Sequence, residues 1–198
     1  PTAELPLLYG DGTVTKEIFT DKKLIGIVFD ETNRLAVALS DVTGGIWANN
    51  QYDIPDLTNW GDSSISEGSN LTQITCGVDG RDNTNKILAC GSRCGGTPAA
   101  EEVNNYQPAD CTQDFCKKTK WFLPSLRDLQ NINTHKAKIN AILTSTSGIS
   151  FNTFDSYYYY SSTEYGDCCA WVFSMDQKGS RSYMNKREKV HVRPVIAY

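Results

Sequence analysis

The stretch Trp121–Leu143, WFLPSLRDLQNINTHKAKINAIL, carries the clearest helix signal in this sequence and decides the fold class. Ser125 suits an N-cap, and Asp128 three residues later completes a capping-box pattern directly after Pro124. Apolar residues then recur at helical spacing, with a break predicted near residues 133–134. They are Leu126, Leu129, Ile132, Ile139 and Ile142. The stretch therefore predicts a helix that packs one apolar face on a core.

Strand signals lie on both sides of this helix. LIGIVFD (residues 24–30) and RLAVALS (residues 34–40) are apolar, β-branched runs around a short turn, which predicts a hairpin. AWVFSMDQKGSRSYM (residues 170–184) reads as two strands around the turn DQKG. KVHVRPVIAY (residues 189–198) alternates as a terminal strand, and Pro194, which has no N–H to donate, is expected at an edge or a bulge. Segregated helix and strands predict an α+β domain with antiparallel strands at both termini.

The length and composition predict one domain over residues 1–198. Its 198 residues are 39% hydrophobic and 11% aromatic, enough for a full core. Residues 54–120 are polar and rich in Gly, Asn, Asp, Ser and Thr, so we interpret them as a loop-rich, cysteine-containing insertion. A short helix is predicted within it at NTNKILAC (residues 83–90). The final segment, residues 157–198, is β framework around a polar centre.

Charge and motifs exclude several function classes. The net charge is −4, and no Lys/Arg run exceeds two residues, so a nucleic-acid partner is not expected. No stretch approaches 18 apolar residues, so membrane insertion is not expected either. The chain contains two histidines and none of the common hydrolase, metalloprotease or phosphate-loop motifs. We therefore expect no enzymatic activity, no cofactor and no metal site. The first residues show no signal-peptide pattern.

Seven cysteines leave at least one thiol free or paired with another chain. The spacings CGSRC and CTQDFC differ from the two-residue gaps of most zinc ribbons. One or two disulfides, free thiols and zinc remain open as alternatives, and disulfides favour an extracellular or virion-surface setting. For the adjacent Cys168 and Cys169 we expect a buried free thiol pair, with a vicinal disulfide as the alternative.

Several stretches, in order along the chain, resemble one family. They are LLYGDGTVTKE (7–17), LIGIVFDETNRLAVALSDV (24–42), DNTNKILACG (82–91), PAAEEVNNYQ (98–107), KWFLPSLRDLQNI (120–132), YYSSTEYGDCCAWVFSM (159–175) and VHVRPVIAY (190–198). The chain resembles the bacterial and phage C-type-lectin-like domains of the Fibrobacter-type major paralogous and ligand-binding C-terminal domain group. The resemblance implies a C-type-lectin-like fold and a ligand-binding, receptor-recognition role on a cell or virion surface. Calcium-dependent sugar binding is not expected, because the Glu-Pro-Asn and Trp-Asn-Asp motifs of calcium-binding lectins are absent.

This group includes variable proteins of diversity-generating retroelements, in which adenines of AAC-type codons are randomised. Residues 166–169, 174 and 180–183, which lie between framework positions, are all reachable from AAC by adenine substitution, whereas Lys178, Lys186 and Lys189 are not and could be fixed. Residues 157–198 are therefore predicted to be the variable region. The resemblance implies that these side chains are exposed and contact a protein or glycan on a target cell. The predicted ligand-binding positions are Tyr160, Gly166, Asp167, Cys168, Cys169, Ser174, Ser180, Arg181, Ser182, Tyr183, Arg187 and His191.

Two other interpretations stay open. One is a surface adhesin of fixed specificity, and the other is a calcium-independent glycan-binding domain. Among the predicted positions, Arg181 and Tyr183 are the expected energetic anchors, because Arg and Tyr are common hot-spot residues. Tyr157 and Tyr159 are expected in the core, as is Trp171, and His191 is expected to be a structural histidine more often than a ligand contact.

Overall fold

The computed structural model describes residues 1–43, 45–57, 77–146, 157–176 and 179–198. Two antiparallel sheets and four α-helices make up this part of the chain. The strands are β1 (Thr2–Tyr9), β2 (Val14–Glu17), β3 (Leu24–Asp30), β4 (Leu35–Ala38), β5 (Trp121–Phe122), β6 (Tyr158–Glu164), β7 (Cys169–Ser174), β8 (Ser180–Asn185) and β9 (Val195–Ala197). The helices are α1 (Gly80–Cys90), α2 (Pro98–Asn105), α3 (Leu126–Thr134) and α4 (Lys136–Ser145). The prediction of a mixed α and β protein with antiparallel strands is confirmed.

The larger sheet joins the two ends of the chain. Its strand order is β2-β1-β3-β4-β9-β5, so the last strand lies between the early β3–β4 hairpin and β5. The predicted hairpin is confirmed, with Ile27 opposite Val37. Pro194 was expected at an edge or a bulge, but it lies immediately before β9, an inner strand of the larger sheet. There only its carbonyl is used, as the acceptor for the Ala38 N–H at 2.9 Å. The missing proline N–H therefore costs the ladder nothing.

Helix α3 begins where the sequence predicts. The Ser125 side chain accepts from the Asp128 N–H at 3.1 Å, and the Asp128 carboxylate accepts from the Ser125 N–H at 2.8 Å. This reciprocal pair satisfies two N–H groups that the helix start leaves without partners. The helical path is interrupted at His135, between α3 and α4, as the break near residues 133–134 predicts.

The predicted apolar stripe of this helical stretch is confirmed. It packs with Tyr159 of β6, with Trp171 and Phe173 of β7, and with the larger sheet in one of the two core clusters. Its five members are all buried: Leu126, Leu129, Ile132, Ile139 and Ile142. This cluster supports the smaller sheet, β6-β7-β8, from one side, and a second cluster around Trp47 and Tyr160 supports it from the other.

The insertion is more ordered than its composition indicates. The predicted short helix at residues 83–90 is the C-terminal part of α1, which begins after the N-cap Asp79. A second helix, α2, starts with Pro98 in its first turn and buries Ala99, Ala100 and Val103. We expected loops in this part of the insertion, and that expectation is wrong. Small alanines produce little hydrophobic signal in a sequence, yet they allow α2 to approach the core closely. Residues 58–76 of the insertion lie outside the described residues.

The buried capping residue predicts a pH dependence of stability. Burial raises the pKa of the Asp128 carboxyl to about 6, against the opposing effect of the hydrogen bonds from Ser125. An unfolded aspartate titrates near about 3.9, so between roughly pH 4 and pH 6 the folded state binds more protons than the unfolded state. Stability from this group is therefore present at acidic pH and lost as pH rises through about 6. We expect wild type to lose about 2 kcal/mol relative to Asp128→Asn between about pH 4 and pH 7.

Urea unfolding of both proteins across this pH range measures the difference. Asp128→Asn keeps a side-chain oxygen for the Ser125 N–H and does not ionise, so it is a matched reference. A wild-type-minus-variant difference that stays flat over the range would contradict the prediction.

Candidate ligand-binding surface

The predicted site residues are carried mainly by the β6-β7-β8 sheet. β7 and β8 form a hairpin in which Trp171 lies opposite Tyr183 and Phe173 opposite Arg181. This confirms the predicted pairing of residues 170–184. The turn ends at Gly179, whose φ of +57° is a conformation that favours glycine. Gly179 N–H is held by the Asp176 carboxylate at 2.7 Å.

The structure divides the twelve predicted positions by exposure. Four carry exposed side chains: Asp167, Tyr183, Arg187 and His191. Three are half-buried: Cys168, Ser180 and Ser182. Five are buried: Tyr160, Gly166, Cys169, Ser174 and Arg181. The expectation that all twelve are exposed is therefore wrong for the last five. Whether the others contact a ligand stays a prediction.

Tyr160 is a framework residue of the core. Its side chain is 0% exposed, and its hydroxyl donates to the Asn185 carbonyl at 2.6 Å and lies 3.1 Å from the Glu188 carbonyl. Burial raises the pKa of this hydroxyl, which keeps it a neutral donor. Tyr159 and Tyr160 point to opposite faces of β6, and both are buried because each face meets a different core cluster. Alternation alone could not say which tyrosine faces which core.

Arg181 is also not on the surface. It is 2% exposed and lies opposite Phe173, on the sheet face that packs with α3 and α4. Burial lowers the pKa of its guanidinium. Ser174, 4% exposed at the end of β7, is buried as well. Of the two expected anchors, only Tyr183 can therefore reach a ligand from the described position of its side chain.

The β6–β7 turn is closed by a vicinal disulfide between Cys168 and Cys169. This corrects our expectation of a free thiol pair. The turn is held by hydrogen bonds from Tyr165 N–H and Gly166 N–H to the Cys169 carbonyl, at 3.1 and 3.2 Å. Gly166 is buried inside the turn, while Asp167 projects from it and accepts the Cys168 N–H at 2.6 Å. The turn therefore presents a carboxylate beside a disulfide.

Two further disulfides lie in the insertion, Cys90–Cys94 and Cys111–Cys116. The chain thus has three disulfides in its described part, more than the one or two that we expected. Cys76, the remaining cysteine, lies outside the described residues.

A buried ion pair holds the turn against the rest of the domain. The Lys186 ammonium contacts the Glu164 carboxylate, and both side chains are 0% exposed. The ammonium also donates to the Tyr52 carbonyl at 2.7 Å and lies 4.9 Å from the centre of the Trp47 ring. Burial lowers the pKa of Lys186, and the Glu164 carboxylate opposes this shift. The Ile54 N–H donates to Glu164 at 3.2 Å.

The backbone of Lys186 reinforces this attachment. Its N–H donates to the Cys168 carbonyl at 3.0 Å, and its carbonyl accepts from Trp47 N–H at 2.8 Å. The ion pair and these bonds therefore fix the exposed turn relative to the end of β8 and to residues 45–57.

Three aromatic rings meet beside the turn. The rings of Tyr165 and Tyr183 stack with centroids 4.2 Å apart and planes 13° apart. Trp171 meets both rings edge-on, at 5.1 Å from Tyr165 and 6.2 Å from Tyr183. Tyr183 is 38% exposed and Trp171 only 2%. We call the stacked pair Tyr165–Tyr183 the tyrosine platform.

Tyr165 is absent from our sequence-based site. It lies in the framework motif that resembles the family, and nothing in its spacing marks it as exposed. Only the tight β6–β7 turn brings it over Trp171, next to the cross-strand neighbour Tyr183.

His191 lies apart from the platform. Its Nδ1 lies 3.1 Å from the Asp41 carboxylate, which also accepts from the buried Arg193 guanidinium at 2.5 Å. Its ring stacks on Tyr157, with centroids 5.3 Å apart. Tyr159 is in the core, as expected, but Tyr157 is 59% exposed, so the expectation of a buried Tyr157 is wrong.

Within the described ranges, no three His, Cys, Asp or Glu side chains cluster as a metal ion would need. Over these same residues, no helix is both long enough and apolar enough to cross a membrane.

Comparison with known proteins adds a likeness of fold. No protein-family model matches the chain, and no curated protein matches it. Among solved structures, the chain is similar to a fimbrial protein from Bacteroides ovatus ATCC 8483, whose crystal structure was determined at 1.85 Å resolution. The TM-score is 0.68 at 18% sequence identity, over 98% of this chain and 48% of that protein. The chain therefore spans about half the length of a protein whose fold it shares.

Proposed function

We propose that this chain is a surface-displayed recognition domain of fixed specificity, an adhesin-like module that binds a protein or glycan on another cell. The observation that carries the proposal is the surface around the β6–β7 turn, where Asp167, Cys168 and Tyr183 are exposed or half-buried on a tightly held framework. Side chains on a turn held by a rigid scaffold suit recognition, because little motion has to be arrested on binding.

Two further lines of support concern the fold and the setting. The final strand returns to the sheet of the first strands, and the family-like motifs form the framework of the site, in line with a C-type-lectin-like domain. The structural neighbour is a fimbrial protein, and its fold is shared over nearly the whole chain. Three disulfides agree with an extracellular or virion-surface location. We propose no catalytic role and no cofactor for this domain.

Fixed specificity is favoured over retroelement-driven variation by the burial of five of the twelve predicted variable positions. Random replacement of Tyr160 or Arg181 would disturb packing, and packed cores tolerate few such changes. The DNA around the gene tests this choice. A nearby reverse transcriptase and a near-copy of the gene's 3′ end, differing only at adenines, would establish variation and contradict fixed specificity.

Attachment of the labelled chain to intact cells tests the recognition role. We expect binding to at least one type of bacterial or animal cell, and loss of about tenfold or more in affinity for the double variant Asp167→Arg/Tyr183→Arg, because charge and bulk replace the contact surface. The matched control is Asp114→Arg/Val14→Arg, which changes an exposed carboxylate and a residue with the same 38% exposure as Tyr183. Attachment to no cell type, or equal attachment of both double variants, would contradict the proposal.

A further inference from the structure

The tyrosine platform points to a particular class of ligand. Resting on the proposed function, we infer that the platform binds the apolar face of a pyranose ring, so that the cell-surface ligand is a glycan recognised without calcium. The exposed Tyr183 ring, held by its stack on Tyr165, supplies the flat contact, and the Asp167 carboxylate on the adjoining turn supplies a hydrogen-bond acceptor for sugar hydroxyls.

The rings are preorganised for such a contact. Trp171 is buried beneath the stack and meets both tyrosines at steep angles, 77° and 89°. The register of β7 and β8 places Trp171 directly opposite Tyr183, so the hairpin itself holds the two rings in contact. Tyrosine also loses little side-chain entropy on binding, so contact between this ring and a sugar ring has a small entropic cost.

The size of the exposed apolar area favours a sugar over a protein. Tyr183 is 38% exposed, and a tyrosine of roughly 150–250 Å² then presents less than about 100 Å². A specific protein interface buries about 800 Å² on each partner. Apart from Tyr183, the large hydrophobic side chains exposed in the described part are Val14 and Tyr157, and neither belongs to the platform. One sugar ring matches this exposed area, whereas a protein partner would gain only one apolar side-chain contact here.

The stacking geometry argues against a cationic ligand held between the rings. Aromatic cages for quaternary ammonium groups surround the cation with separate ring faces. Here the two rings lie 4.2 Å apart and nearly parallel, so they contact each other and leave no space between them. A ligand can use only an outer face, which is the arrangement for stacking against a flat ring.

Saturation-transfer NMR and calorimetry in EDTA test the inference. The probes are linear tetrasaccharides of glucose, galactose, mannose, xylose and N-acetylglucosamine. We expect at least one to bind, with the strongest transfer to ring C–H protons. Tyr183→Phe keeps the ring and should bind within about twofold of wild type, whereas Tyr183→Ala should lose about tenfold or more in affinity because the stacking face is gone. Tyr157→Ala, which removes another exposed tyrosine, is the matched control and should bind normally.

Two outcomes overturn the inference. One is the absence of binding by every tetrasaccharide, and the other is unchanged binding by Tyr183→Ala. If cells are still bound in either case, the ligand is a protein or another surface on the domain is used, and the recognition role stands without the glycan. If neither cells nor tetrasaccharides are bound, both proposals fail.

Discussion

Replacing Lys186 with methionine is expected to lower the free energy of unfolding by about 3–5 kcal/mol, because it leaves the Glu164 carboxylate buried without its cation. Glu164 is 0% exposed, so water cannot take the place of the ammonium. Methionine preserves much of the apolar stem, which limits the loss of packing. Chemical denaturation at neutral pH measures the change.

The double variant Glu164→Gln/Lys186→Met separates charge from packing. Glutamine keeps an oxygen for the Ile54 N–H and carries no charge, so we expect the double variant to recover about 2 kcal/mol or more of the loss. The deficit of Lys186→Met should also shrink at acidic pH, because the folded variant takes up a proton on Glu164. If the double variant is as unstable as Lys186→Met, and the deficit of Lys186→Met does not change with pH, the loss comes from packing and not from the unpaired charge.

Tyr160→Ala is expected to destabilise the domain by about 3–5 kcal/mol, as aromatic-to-alanine changes in cores do. The ring is fully buried in the core cluster that contains Trp47, and the loss leaves a cavity together with an Asn185 carbonyl that has lost its donor. Thermal and urea unfolding measure this effect. Tyr160→Phe retains the ring and should cost only about 1–2 kcal/mol for the lost hydrogen bonds.

Tyr183→Ala is the contrasting variant for this prediction. It removes an exposed ring from a stacked pair, so we expect a cost of about 1 kcal/mol in stability together with the loss of ligand. The original interpretation of Tyr160 as a ligand contact predicts the reverse for that residue, with a stable protein that fails to bind. A stable Tyr160→Ala variant would restore that interpretation.

The elements that could be predicted from sequence are those with short-range physical causes. The capping box at Ser125 and the apolar stripe of α3 and α4 depend on residues three or four positions apart, and both are observed as expected. The two hairpins depend on β-branched runs and turn residues close in the chain. Helix α2 was not predicted because two of its three buried residues are alanines, whose weak apolar signal says little about their surroundings.

The sequence could not tell which of the predicted site residues are buried. Framework motifs and a polar centre led us to place the site in the final segment, which stays a prediction. Five of its twelve positions are buried, and the core clusters that cover both faces of the smaller sheet cannot be read from a strand pattern. The bond between Cys168 and Cys169 could not be deduced from adjacency, since adjacent cysteines are also found as free thiols. Nothing in the sequence marked Tyr165 as a site residue, because the β6–β7 turn brings its ring against Trp171 and Tyr183.

By itself the sequence determined the two hairpins and the start and break of the central helix, because these depend on neighbours within a few residues. The tertiary structure alone decided that Tyr160 and Arg181 belong to the core, that Glu164 and Lys186 pair out of water, and that two tyrosines stack on Trp171. These features join residues on different strands, and their energies depend on burial and on distances that exist only once the sheets have formed.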